Sequence, residues 1–177
     1  MVLEKLISDI RFDEENMSER QKKLYKTSIF LTKLLVIGFL FRILIWVLPS
    51  TLGLQADYAG FLTSIINIFG VEAFNRGIDI YINDSIYRII QDCLGWKSMV
   101  MYIGLTIASA GDKDYRKILK YLLAGLFVIQ IGNVIRILTT IYLAESGLIS
   151  FDIIHGIFWT WGLAALVLVI WIYQERK

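Results

Sequence analysis

Long apolar stretches alternate with short charged ones along this chain, and their spacing predicts four transmembrane helices, roughly residues 28–48, 94–110, 118–142 and 153–173. A weaker pattern lies between the first two. Phe61, Leu62, Ile65, Ile66 and Phe69 form one helical face while Thr63, Ser64, Asn67 and Gly70 fall on another, so 59–74 is expected to be an interfacial or re-entrant helix. A fifth full span is the alternative. Next, Ile78, Ile80 and Ile82 alternate with Asp79, Tyr81 and Asn83, and the pair Asn83-Asp84 supplies turn chemistry before the apolar stretch Ile86 to Ile90. That pattern predicts a small β-hairpin. Ahead of the first span, Leu3, Leu6, Ile7 and Ile10 recur at helical spacing beside Glu4, Lys5, Asp9 and Arg11, which fits either an amphipathic surface helix or a solvated leader. The expected fold class is an all-α integral membrane protein of about four transmembrane helices, plus the interfacial helix and the hairpin. It is read as one membrane domain over 1–177, with a leader at 1–26 and a transmembrane core at 27–177.

Charge sets the sidedness. Arg20, Lys22, Lys23 and Lys26 precede the first span, Lys113, Arg116, Lys117 and Lys120 flank the third, and Arg176 and Lys177 follow the last. The positive-inside rule assigns all three clusters to the cytoplasm. Both termini are then cytoplasmic, while Pro49 to Cys93, Tyr142 and His155 face outside in a multi-pass plasma-membrane protein. Parity excludes a full crossing at 59–74 under that assignment. No signal-peptide cleavage pattern follows the first apolar run, which is expected to remain as an anchor. Of 177 residues 56% are hydrophobic and 19% charged, with a net charge of +2. The basic residues form no continuous stripe, so nucleic acid is not an expected partner.

With one cysteine, the chain has no internal disulfide, CxxC pair or cysteine-rich zinc site, and neither metal nor cofactor is expected. Cys93 is therefore either core packing or a working thiol. It opens the second span in Gln91-Asp92-Cys93-Leu94-Gly95-Trp96-Lys97-Ser98, where a helix N-terminus would stabilise a thiolate. Lys97, one turn on, either adds positive charge there or snorkels to headgroups. Arg136 lies inside the apolar run Ile131-Gly132-Asn133-Val134-Ile135-Arg136-Ile137, and an intramembrane charge is costly enough to be a functional candidate. Asn133, one turn earlier, suggests a polar cavity beside it. His155, the single histidine, begins the last span, and its ordinary pKa of roughly 6.5 suits proton transfer. Taken singly, Arg136 could snorkel and His155 could be an interfacial side chain. The predicted topology, however, brings thiol, guanidinium and imidazole to one side, and these groups are what peptide-bond cleavage by a thiol requires: nucleophile, base and oxyanion partner.

The strings Asp92-Cys93-Leu94-Gly95-Trp96-Lys97-Ser98, Asn133-Val134-Ile135-Arg136 and His155-Gly156 resemble the exosortase/archaeosortase family. Its members carry Cys-x-Gly at the outer end of one span, Arg in the next and His in the one after. The resemblance covers roughly Phe61 to Trp171. Leu94 departs from the small hydroxyl residue that members often have after the cysteine. The resemblance implies a sortase-like cysteine transpeptidase with Cys93, Arg136 and His155 as catalytic residues. Its partners would be secreted proteins ending in a recognition motif, a hydrophobic helix and a basic tail, and a lipid or cell-surface nucleophile would accept the product. In that setting the hairpin offers an edge for strand addition by the motif, and Arg42 in the first span either holds a lipid phosphate or snorkels.

Two other classes stay open: a non-catalytic membrane scaffold of the same fold, and a small transporter using Arg136 and His155, which the lack of an inverted repeat disfavours. Ser109-Ala110-Gly111-Asp112 only superficially matches the GxGD of intramembrane aspartyl proteases, and HExxH and GxSxG are both absent.

Overall fold

The computed structural model of the protein describes residues 17–47, 51–111, 114–147 and 161–176. The expected leader helix, Pro49 and His155 lie outside the described residues. In chain order the elements are α1 (Glu19–Val47), α2 (Leu52–Ile68), β1 (Ala73–Arg76), β2 (Asp79–Ile82), β3 (Ser85–Arg88), a 3₁₀ turn (Gln91–Leu94), α3 (Trp96–Ala108), α4 (Tyr115–Glu145) and α5 (Leu163–Glu175).

Two of these, α1 and α4, are long and apolar enough to cross a membrane. They run about 44 Å and about 47 Å at 1.5 Å per residue. The second and fourth expected spans correspond to the 13-residue helices α3 and α5. Residues 153–160 of the fourth fall outside the described chain. Ser18 and Gln21 cap α1 reciprocally: the Ser18 N–H donates to Gln21 Oε1 at 2.9 Å and the Gln21 N–H to Ser18 Oγ at 3.4 Å. No residue of α1 is buried, and its Leu35, Phe39 and Trp46 are exposed. An apolar face of that kind suits lipid rather than water.

Aromatic contacts fix how the helices run. Phe41 of α1 stacks on Trp96 at the start of α3, Leu34 lies against Gly104, and Phe30 stacks on Trp171 near the end of α5. Helix α1 is thus antiparallel to α3. At the far end, the Ser109 hydroxyl donates to Glu175 Oε1 at 2.9 Å and accepts from Trp171 Nε1 at 3.1 Å. The Tyr102 hydroxyl lies 2.7 Å from both Tyr121 O and Gln174 Oε1. These contacts gather the start of α1, the start of α4 and the end of α5 at one end of the bundle. Arg20 to Lys26, Arg116 to Lys120 and Arg176 lie there, opposite Cys93.

The helix expected at 59–74 starts earlier and stops sooner. Gly70, at φ +82°, ends the helical path, and the Asn67 side chain then grips Ala73, donating to its C=O at 3.1 Å and accepting from its N–H at 2.9 Å. That grip starts strand β1, where a helix end had been expected. The predicted hairpin is present as β2 and β3, joined at Asn83-Asp84 with Asn83 at φ +50°. With β1 it forms an antiparallel sheet of order β1-β2-β3. One face places Ile80, Ile82 and Ile89 against Ala59, Leu62 and Ile66 of α2 and Ile137 and Ile141 of α4. The other stacks Phe74 on Tyr81 at 4.9 Å and pairs Arg88 with Asp79 at 2.8 Å. A carboxylate of α4 also reaches the sheet: Glu145 accepts from Asn83 Nδ2 at 2.9 Å and from the Tyr87 hydroxyl at 2.7 Å.

Candidate active site

Cys93 follows directly from β3. The chain leaves the strand at Ile89 and Ile90, and the Ile90 C=O accepts from the Cys93 N–H at 2.9 Å, which closes the 3₁₀ turn. Gly95 then reverses the path at φ +74° and caps the start of α3. A side chain at 95 would adopt a left-handed conformation that costs about 1–2 kcal/mol. Its Cβ would also stand 3.0 Å from Asn133 Cγ and Nδ2. The glycine of the Cys-x-Gly string is thus required by the close approach of α4.

Asn133 is fully buried and joins the site together. Its Nδ2 donates to Cys93 O at 2.8 Å and to the Tyr58 hydroxyl at 3.0 Å, while its Oδ1 accepts from Arg136 Nη2 at 2.9 Å. A main-chain carbonyl only accepts and a guanidinium only donates, so these two partners dictate which end of the amide faces which. Tyr58, on α2, also accepts from Gln130 Nε2 at 3.3 Å. Cys93 and Arg136 are each 7% exposed. Both line a cavity of about 390 Å³ bounded by residues Ile86 to Ile90 on one side and Ile137 and Thr140 on the other. A smaller cleft of about 240 Å³ reaches Arg136 from its other flank, between Gly132, Thr139, Leu163 and Leu166.

Of the residues predicted from sequence, Cys93, Arg136 and Asn133 come together. Lys97 does not join them: its ammonium pairs with Asp92 at 2.6 Å, lies 5.6 Å from the Trp96 ring centroid and is mostly exposed. Arg42 is exposed on α1, and it is absent from the lining of the cavity. His155 lies outside the described residues. Burial pushes the Cys93 thiol above its ordinary range, opposed by a main-chain contact at Ile90 and by the charge of Arg136. Tyr58 and Gln130 were missed. A signal for Gln130 existed, since Gln130, Asn133 and Arg136 recur every third residue along an otherwise apolar helix and so share one face. Tyr58 carries no comparable mark in the sequence.

A family model described as transmembrane exosortase matches residues 23–173. That match runs from within α1 to within α5 and takes in all three strings noted above. No curated protein and no solved structure matches the chain. With a match over most of its length, the chain belongs to the transmembrane exosortase family, whose members have a membrane transpeptidase-type role.

Proposed function

We propose that this protein is a membrane cysteine transpeptidase in which Cys93 is the nucleophile, Arg136 the cation at the reacting carbonyl and His155 the base. The single observation that carries the reading is that Cys93 and Arg136, 43 positions apart in sequence, line one cavity and are bridged by one buried amide, Asn133. Neither a packing cysteine nor a snorkelling arginine needs such a bridge. A buried thiol requires a base, and His155 enters the reading from the sequence, eight residues before Leu163 of α5.

In this mechanism His155 takes the thiol proton as sulfur attacks the scissile carbonyl, and the negative charge moves to oxygen, where the permanent charge of Arg136 stabilises it. Collapse of the adduct breaks the C–N bond. The proton held by His155 goes to the leaving amine, and the substrate remains as a thioester on Cys93. An amine or hydroxyl then attacks the thioester carbonyl and gives up its proton, while the sulfur leaves and the thiol is restored. The substrates are secreted proteins with C-terminal sorting signals, the class on which the family acts. The acceptor is a lipid or cell-surface nucleophile.

The same reading places four spans in the plasma membrane with Cys93 outside. Support comes from the collection of basic residues at the end of the bundle away from Cys93, as the positive-inside rule requires. The test is co-expression with a secreted protein that ends in an apolar helix and a basic tail. Loss of the tail, with a covalent adduct that disappears in Cys93→Ala, is the expected result. Unchanged maturation with Cys93→Ala, Arg136→Ala and His155→Ala, each still folded, would leave a scaffold in place of an enzyme.

A further inference from the structure

The free edge of β3 leads into Cys93, and the register shows which main-chain groups it offers. Ile80 pairs with Tyr87 and Ile82 with Ser85, and the bond from the Ile89 N–H to Ile78 O, 2.8 Å, extends the same ladder by one step. In an antiparallel pair, hydrogen-bonded and non-bonded positions alternate. Ser85, Tyr87 and Ile89 therefore spend their N–H and C=O groups on β2, and those of Ile86 and Arg88 point away from the sheet. Ile90 continues the outward series, and its carbonyl is the one that anchors the Cys93 turn. Among the described residues no strand pairs with this edge.

The opposite edge is treated differently. By the same alternation the outward groups of β1 belong to Ala73 and Asn75, and both the N–H and the C=O of Ala73 are taken by the Asn67 side chain. One border of the sheet is thus stoppered at Ala73 while, among the described residues, the other is unpaired, and only that one borders the cavity shared by Cys93 and Arg136. That cavity has β3 along one wall and α4 along the other, and a strand paired at the usual spacing of about 4.8 Å would lie within it.

We propose that the edge of β3 receives an extended segment of the secreted substrate as a fourth strand, held by the main chain of Ile86 and Arg88 and directed at Cys93. This rests on the peptidase reading, and it adds how the substrate is held. Main-chain pairing makes recognition depend on an extended conformation, and side chains contribute by alternation. Every second residue of the segment faces the side of Ile80 and Ile82, which is apolar and closed, and those between face the side of Ile86 and Arg88. Because Asp79 already neutralises Arg88, an uncharged segment is favoured.

The lone cysteine makes the test clean. In a Cys93→Ala background, Ile86→Cys and Arg88→Cys are each cross-linked to a cysteine scanned through the residues preceding the apolar helix of a tailed secreted reporter. Cross-links should recur at every second reporter position and shift by two between the two sites. A helical period, an unpatterned scatter, or cross-links confined to Phe74→Cys on the other border would overturn the proposal. A second arm uses the intact nucleophile. Arg88→Pro removes an outward N–H without touching the ladder and should slow reporter processing about three- to tenfold relative to Arg88→Ala, which loses the same ion pair. Cys93 alkylation by iodoacetamide should be equal in the two variants, which separates docking from folding. Equal processing by Arg88→Pro and Arg88→Ala would also overturn the proposal. If Cys93→Ala still processed the reporter while the two-residue pattern persisted, the enzyme reading would fall and the docking would stand. Cys93-dependent processing without the pattern would sink the docking alone.

Discussion

Replacing Asn133 is the sharpest probe of how this site is held. In Asn133→Leu the side chain keeps its branching and its number of heavy atoms but loses two donors and one acceptor, leaving the Cys93 carbonyl and one Arg136 nitrogen without the bonds they have now. Each buried group so stranded costs about 1–3 kcal/mol, although polar contacts between membrane helices average nearer 0.6 kcal/mol. The expected loss of stability is therefore about 1–4 kcal/mol. The effect on catalysis should be larger than that range alone implies, because the guanidinium is released from its fixed direction, and one misplaced electrostatic donor costs about 10²–10³ in rate. Asn133→Asp separates the two roles. It keeps an acceptor for Arg136 but has no donor for Cys93 O, so the nucleophile should be displaced while the cation stays. The assay is the rate of reporter tail loss, with thermal unfolding in detergent and Cys93 alkylation as controls for folding. A folded Asn133→Leu variant that processes within about threefold of the parent rate, less than a single net hydrogen bond would cost at the upper end, would refute the bridge.

Other outcomes follow from the same geometry. Gly95→Ala should lower stability by about 1–2 kcal/mol through its left-handed backbone, and it should slow processing further because its Cβ presses on Asn133. Differential scanning fluorimetry and the reporter assay check the two parts. Cys93 alkylation should keep rising through the ordinary thiol value of about 8.5, with its inflection above it, and Arg136→Ala should move that inflection higher still, since the charge of Arg136 favours the thiolate. A plateau near pH 7 in the resting protein would contradict this. Tyr87 is pushed up to about 12 by burial and by its bond to Glu145. Because the folded value lies above the unfolded one of about 10, this contribution to stability is intact below pH 10 and is lost as pH rises towards 12. Unfolding midpoints across pH 9–12, compared with Tyr87→Phe, measure it.

The parts of this fold that sequence reveals well are those with a simple period. The alternation of Ile78, Ile80 and Ile82 marked β2, and Ile80 and Ile82 face the packed side of the sheet. The apolar runs in α1 and α4 marked helices through length alone. Strand β1 escaped because Ala73-Phe74-Asn75-Arg76 has no β-branched residue, and it is held instead by a side chain six positions earlier. A contact of that kind has no signature in local propensity. The site divides the same way. Cys93 and Arg136 stood out as a lone thiol and a charge in an apolar run, whereas the pairing of Lys97 with Asp92 was not legible in the sequence. Tyr58 belongs to the site only through a tertiary contact with Asn133, and no pattern near residue 58 announces it.

Glu145 gives the cavity a property of its own. One carboxylate takes bonds from both the turn and the last strand of the sheet, so that wall and α4 behave as two jaws riveted near their tips. Widening the gap between them costs those two bonds. Thickness then becomes a sieve: a segment with slender side chains leaves both bonds in place, whereas a bulkier one works against them.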